Sequence, residues 1–442
     1  MSKFQNQLEL ARWACREATQ VGANEARVSV SRTRYVNLSY RDRKIETLEE
    51  SVQSGLSVSL FRDGKFSAHR TSDLRPEAIT KFLQDTVAMT GYLAEDPYRR
   101  LPEPHYYADR PARELELVDA DYGRVSPEDR HRMARTVEAS ARDIGGDKVI
   151  SATGNYYDST TESATVASNG FEGTAERTDF WCGVDVTARD AGDKRPEEWW
   201  WEGGCRRDAF ADPEKIGRLG VERALARIGS EKIPTEKMPI IIENRSAGRL
   251  LRFMGSAFYA RNLQQRQSFL EGKVGQQITS PLLTVTDDPL IPRGMASRLF
   301  DDEGISARPL PMIEKGVLRN FYVDTYYGRK LEMEATTGSP SNIMVELGDR
   351  AQADWMKQLG RGVLVTGFIG GNSNSSTGDF STGVFGFLFE NGEITRPVSE
   401  LNLGGNHLEF WHKLIGVGND PYPFSSSPTP CLVFEDVTMA GA

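Results

Sequence analysis

Apolar residues recur at helical spacing over 4–22, where Phe4, Leu8, Ala11, Cys15, Ala18 and Val21 share one stripe that Gly22 closes. This predicts an opening amphipathic helix. The period then changes to two. Ala26 to Tyr40, Ile45 to Glu50 and Leu56 to Phe61 alternate, and Asp63-Gly64 turns the last run into Lys65 to Ala68. Both turn residues tolerate positive φ, so the pattern predicts an antiparallel hairpin.

Pro76 opens a helical segment running to Tyr92, and Ser126-Pro127-Glu128-Asp129 reads as a capped start with proline at the first helical position. The Pro-rich stretch 96–111 between them is expected to be an ordered crossing loop. Alternation resumes at Thr160 to Ala167 and Thr174 to Ala188 around Asn169-Gly170, a second hairpin signal, and a helix is predicted from Pro213 to Ile228. Helix and hairpins appearing twice suggest an internal duplication, although no residue-level repeat is visible. Glu231 to Pro239 reads as a linker, followed by a buried strand through Ile242, a helix over 246–262, and a Gly/Asn/Ser-rich remainder of short apolar runs. The expected class is α+β: an N-terminal domain of hairpins and helices over 1–232, and a mainly β domain with a short helix over 233–442.

Composition narrows the functional classes. A hydrophobic content of 38% suits a folded chain throughout. The net charge of −9 is concentrated at the end, where residues 331–442 hold 5 Lys/Arg against 13 Asp/Glu, so direct nucleic-acid binding is not expected. The basic runs at 41–44 and 130–132 have acidic neighbours and read as solvated surface. Four separated cysteines suit a reducing compartment. Without an apolar leader or spanning segment in the sequence, a soluble, cytoplasmic protein with no membrane association is expected.

Few groups can carry chemistry. Of the 5 histidines, only His407 and His412 are neighbours, and five residues of helix turn through about 500°, which leaves the two rings badly placed to share a metal. Asp287-Asp288 and Asp301-Asp302-Glu303 are candidates for acid/base work or hard-cation binding, and each reads equally as turn chemistry. No P-loop, dinucleotide fingerprint or complete nucleophile elbow is present. Trp199-Trp200-Trp201 on a strand would place Trp199 and Trp201 on one face, a platform suited to a peptide or a subunit. The loop Asn372, Ser373, Asn374, Ser375, Ser376 and Thr377 could offer main-chain amides to an extended peptide.

The segments Gly294 to Ser297, Phe300 to Gly304, Ile313 to Leu318, Tyr326 to Leu331, Phe389 to Ile394, Pro397 to Glu400, Val417 to Asp420 and Val437 to Gly441 occur in an order that resembles the TldD/PmbA family, the modulators of DNA gyrase. Within it the chain is similar to the PmbA branch, also called TldE. Arg43 to Glu46 and Gly55 to Phe61 extend the likeness toward the N-terminus.

The resemblance implies a metallopeptidase scaffold. The TldD-type chain carries a His-Glu-x-x-x-His helix and a later cysteine, whose helix positions fall here on Arg252, Phe253 and Ala257 and whose cysteine falls near 415–420, where this chain has none. It further implies a non-catalytic, substrate-binding subunit of a heterodimer that degrades or trims unfolded peptides, with no catalytic residue of its own and zinc in the TldD-like catalytic partner. Two alternatives stay open: a homodimeric peptide-binding regulator acting through gyrase or an antitoxin, and a self-sufficient hydrolase using Asp301, Asp302, Glu303 or the His407/His412 pair.

Overall fold

The computed structural model describes residues 3–441, with side chains described from Gln7 onward, so Phe4 of the predicted stripe lies outside the described side chains. The first half is built twice over. Helix α1 (Lys3–Gln20) leads into the meander β1 (Glu25–Arg41), β2 (Lys44–Arg62) and β3 (Lys65–Thr71), and α2 (Pro76–Thr90) follows. Then α3 (Pro127–Gly145) precedes β4 (Val149–Ala167), β5 (Glu172–Ala188) and β6 (Glu197–Gly204), closed by α4 (Pro213–Ala226).

The six strands form one sheet in the order β3-β2-β1-β4-β5-β6, with β1 antiparallel to β4 from Arg27↔Ala167 to Arg41↔Thr153. The two units therefore meet through their first strands, which gives the suspected duplication a structural form. Alternation assigns the faces. On β1, Val28, Val30 and Leu38 point into cores made with the helices. Ser29 and Thr33 point the other way and bond to Thr165 and Thr161 at 2.8 and 3.1 Å.

The segments predicted as two strands, 45–50 and 56–61, are one continuous strand, β2. The turn before it uses Asp42 and Arg43 at φ 52° and 59°, without a glycine, in the basic run read from sequence as plain surface. Arg142 pairs with Asp42, and the Arg43 amide donates to the buried carboxylate of Glu138 at 3.3 Å, so tertiary contacts hold the left-handed pair in place. Ser126 caps α3 as a full capping box with Asp129. The Pro-rich loop is ordered against the second half: Arg329 donates to the Leu101 carbonyl at 2.7 Å, and the Tyr326 hydroxyl to Asp96 at 2.7 Å.

The second half holds two sheets. The larger has the order β14-β13-β12-β7-β16-β15, from β7 (Glu236–Ile242), β12 (Arg361–Ser373), β13 (Asp379–Glu390), β14 (Glu393–Asn406), β15 (Leu414–Val417) and β16 (Leu432–Met439). The smaller has the order β10-β9-β8-β11, from β8 (Val285–Asp287), β9 (Leu310–Glu314), β10 (Val317–Leu318) and β11 (Ile343–Val345). One apolar core joins both to α5 (Asn244–Met254), through Leu250 and Met254 among others. The whole is an α+β architecture.

The helix expected over 246–262 breaks in the middle. After α5 the chain makes a 3-10 turn, Gly255–Phe258, and an extended Tyr259 before the short α6 (Ala260–Gln264). Main-chain pairing with Tyr322 imposes the break: Tyr322 N–H donates to the Phe258 carbonyl at 2.8 Å, and Ala260 N–H to the Tyr322 carbonyl at 2.9 Å. Among the described residues no helix is long and apolar enough to cross a membrane.

Candidate functional site

Helix α5 lies along the part of β12 that β7 leaves unpaired. The ladder between β7 and β12 ends at Val365, and beyond it α5 side chains take over the exposed carbonyls. Ser246 Oγ donates to Thr366 O at 2.8 Å, and Arg249 donates to Phe368 O and Gly370 O at 3.1 and 2.6 Å. Further along, Ser373 Oγ donates back to the Phe253 carbonyl at 2.7 Å. Ala247, Leu250, Leu251 and Met254 form the buried side of the helix. Arg245, Arg249 and Arg252, spaced four and three, form a second stripe, with the Arg245 side chain buried at one end and Arg252 exposed at the other.

The three arginines have different partners. Arg245 is almost fully buried and reaches Glu198 of β6 at 2.7 Å and the Trp199 carbonyl at 2.6 Å. Arg223 of α4 forks onto Glu243 at 2.8 and 2.7 Å, which fastens the first half of the chain to the start of α5. Arg249 spends its donors on carbonyl oxygens. Arg252, among the described residues, has neither a hydrogen bond nor an ion pair. It keeps solvent access while its surroundings desolvate it: burial, then the charge of Arg249, lower its pKa from the ordinary arginine value, although a guanidinium stays protonated.

Two adjoining cavities of about 310 Å³ each meet at Arg252 and Ser427. One runs beneath α5 and is apolar, walled by Leu251, Met254, Phe258, Val285, Met312 and Ile343. The other opens between the halves of the chain, where Trp199, Arg249, Phe368 and Tyr422 line it. Among the described residues, no Asp or Glu lines either one.

The predicted residues are spread around this cleft. Trp199 is 42% exposed and stands at its rim, with the Arg245 guanidinium 4.3 Å from the ring centroid. Trp201 shares its strand face but packs on Gly183, outside both cavities, where a Cβ would collide with the indole. The segment Asn372 to Thr377 turns back on itself. Asn374 Oδ1 accepts the amides of Ser376 and Thr377 at 2.9 and 3.3 Å, and Asn374 N–H donates to Asp379 O at 2.8 Å, so these amides are engaged within the turn.

The three positions aligned with the metal motif diverge. Arg252 faces the cleft, Phe253 packs edge-on against Phe368 with centroids 6.0 Å apart, and Ala257 is fully buried in the 3-10 turn. A zinc ion does not fit here, because a guanidinium, a phenyl ring and a methyl group have no lone pair to donate. Among the described residues no three His, Cys, Asp or Glu side chains are grouped to hold a metal.

His407 and His412 do not converge either. His407 is buried between the rings of Phe380 and Phe269, its Nδ1 accepts from the Trp411 indole at 3.2 Å, and its Nε2 lies 3.0 Å from Ser373 Oγ. Since Nδ1 accepts, Nε2 carries the proton and donates to Ser373, which continues the chain to the Phe253 carbonyl. Burial lowers the His407 pKa to about 4, while His412 is exposed. Asp301 accepts from the amides of Glu303 and Ile305 and from Thr337 at 2.9, 3.0 and 3.0 Å, which is turn chemistry. Glu303 accepts from Thr325 through both the amide and the hydroxyl at 2.8 Å, and burial raises its pKa. Asp302 is exposed.

Arg252 was singled out from sequence only as a motif position, and Arg245, Arg249 and Glu198 were not selected. The four-and-three spacing of the arginines was visible there; the charge that neutralises only the first of them was not.

Comparison with known proteins agrees with this architecture. Family models described as PmbA/TldA metallopeptidase domain 1, central domain and C-terminal domain match residues 26–90, 121–228 and 235–441. The metalloprotease PmbA of Escherichia coli O157:H7 is 28% identical over 421 residues, covering 94% of this chain and 92% of that protein. The crystal structure of a candidate DNA gyrase modulator from Bacteroides thetaiotaomicron superposes with a TM-score of 0.96 at 35% identity, covering 100% of both chains. The crystal structure of TldE from Thermococcus kodakarensis shares the fold, with a TM-score of 0.86 at 23% identity over 98% of this chain and 100% of that one. With all three domain models matched in order along one continuous architecture, the chain belongs to the PmbA/TldD metallopeptidase family.

Proposed function

We propose that this chain is the peptide-binding, non-catalytic subunit of a two-chain metallopeptidase, with the zinc, its water and the general base supplied by a TldD-type partner. The observation that carries the reading is the makeup of α5. The helix borders a cleft, as a catalytic helix would, yet the motif positions on it and on the 3-10 turn that follows hold Arg252, Phe253 and Ala257, none of which can ligate zinc or take a proton from water. The family membership supports the peptidase scaffold on which this reading rests.

The cleft suits an extended, unfolded chain. Such a peptide carries unpaired amides, carbonyls and apolar side chains, and a non-catalytic subunit can hold these while the partner hydrolyses. The test is cleavage of an unstructured peptide by the purified chain, by a TldD-type chain, and by the mixture. Strong cleavage in the mixture and none by this chain alone is expected; full cleavage by this chain alone contradicts the proposal.

A further inference from the structure

Resting on the peptide-binding role proposed above, we infer that the cleft beside α5 captures the C-terminal end of a peptide, with the terminal carboxylate on Arg252 and an apolar last side chain in the cavity beneath the helix. Three observations support it. Arg252 is the outward arginine of the stripe without a partner: Arg245 is neutralised by Glu198, and Arg249 binds two carbonyl oxygens. Arg252 also sits where the apolar cavity and the open cleft meet, so an anion bound to it has an apolar pocket on one side and an exit on the other. Finally, among the described residues neither cavity is lined by a carboxylate side chain that could occupy the guanidinium in the absence of ligand.

The chemistry selects this ligand. A guanidinium presents a planar fork of N–H donors that matches both oxygens of a carboxylate. An unpaired, partly desolvated cation is improved by an anion, and Arg249 one turn away on the same face adds to the attraction without competing for it. The apolar cavity, at about 310 Å³, is at the small end of the range of ligand pockets, roughly 300–1,000 Å³, and holds an aliphatic or aromatic side chain. Upstream residues of the peptide would then pass Arg249 and Trp199 in the second cavity.

Calorimetric titration of the full chain with an unstructured hexapeptide ending in leucine tests this, comparing the free acid, the C-terminal amide and a version ending in aspartate. The acid is expected to bind about tenfold or more tightly than the amide, since a hydrogen-bonded charge pair is lost. Arg252→Gln should remove that preference, and Arg252→Lys should restore part of it, with circular dichroism confirming that both variants fold. Equal affinity for acid and amide overturns the carboxylate site while leaving peptide binding intact. Binding of none of the three peptides overturns both readings. Laurate displacing the peptide with higher affinity than any peptide would overturn the peptide as the source of the carboxylate.

Discussion

Glu198→Ala is expected to be among the most damaging single changes on the first sheet, because of the charges it leaves behind. Glu198 has a side chain 2% exposed, and it sits 2.7 Å from Arg245, 3.6 Å from Arg227 and 3.8 Å from Arg223. Without it, Arg223 and Arg245 at the junction of the two halves share Glu243, which Arg223 already binds with both of its terminal nitrogens, and Arg227 loses its ion pair. Removing one partner of a buried ion pair typically costs about 3–5 kcal/mol, since the remaining charge stays desolvated. At roughly 2–4 °C per kcal/mol for domains of this size, the melting temperature should fall by about 6–20 °C. Thermal unfolding followed by circular dichroism measures it, with Glu50→Ala as a control, since that residue's ion pair with Arg34 is solvent-exposed. A fall no larger than the control's would refute the reasoning that this network clamps the halves together.

Acid should destabilise the fold through His407. Its folded pKa, about 4, lies below its ordinary 6.5, so the unfolded chain takes up the proton first. The contribution is complete above about pH 6.5 and is lost as pH falls toward 4, amounting to on the order of 3 kcal/mol. His407→Gln should flatten that section of a urea-midpoint-versus-pH curve; an unchanged slope assigns the acid sensitivity elsewhere. Trp199→Ala should weaken peptide binding by about 1–2 kcal/mol and leave the melting temperature nearly unchanged, because the ring is partly exposed at the rim. Ala257→His should lower stability by about 1–3 kcal/mol in a thermal melt, because the site is fully buried and has no room for a ring.

Local rules made much of the fold legible. The α1 stripe, the Asp63-Gly64 turn, the Ser126 capping box and the alternation of β1 all depend on residues within a few positions of one another, and each formed as its pattern implies. Features set by distant partners were not legible. The break after α5 depends on Tyr322, more than sixty residues further along, and the continuity of β2 depends on pairing with β1 across a turn that has no glycine.

The candidate site divides in the same way. The absence of metal donors at 252, 253 and 257 could be read from residue chemistry, because no fold gives a methyl group a lone pair. The free state of Arg252 could not, since it depends on which carboxylates the tertiary structure sends elsewhere: Glu198 goes to Arg245 and Glu243 to Arg223. The histidine pair reads from its spacing as badly placed to share a metal, and one ring is stacked between two phenyl groups while the other faces solvent.

The most direct measurement of the central claim is the zinc content of the isolated chain, by elemental analysis after purification with zinc in every buffer. The account predicts far less than one zinc per chain, with one per heterodimer appearing only when a TldD-type chain is added. One zinc per isolated chain, lost on substituting its own His or acidic side chains, would contradict it.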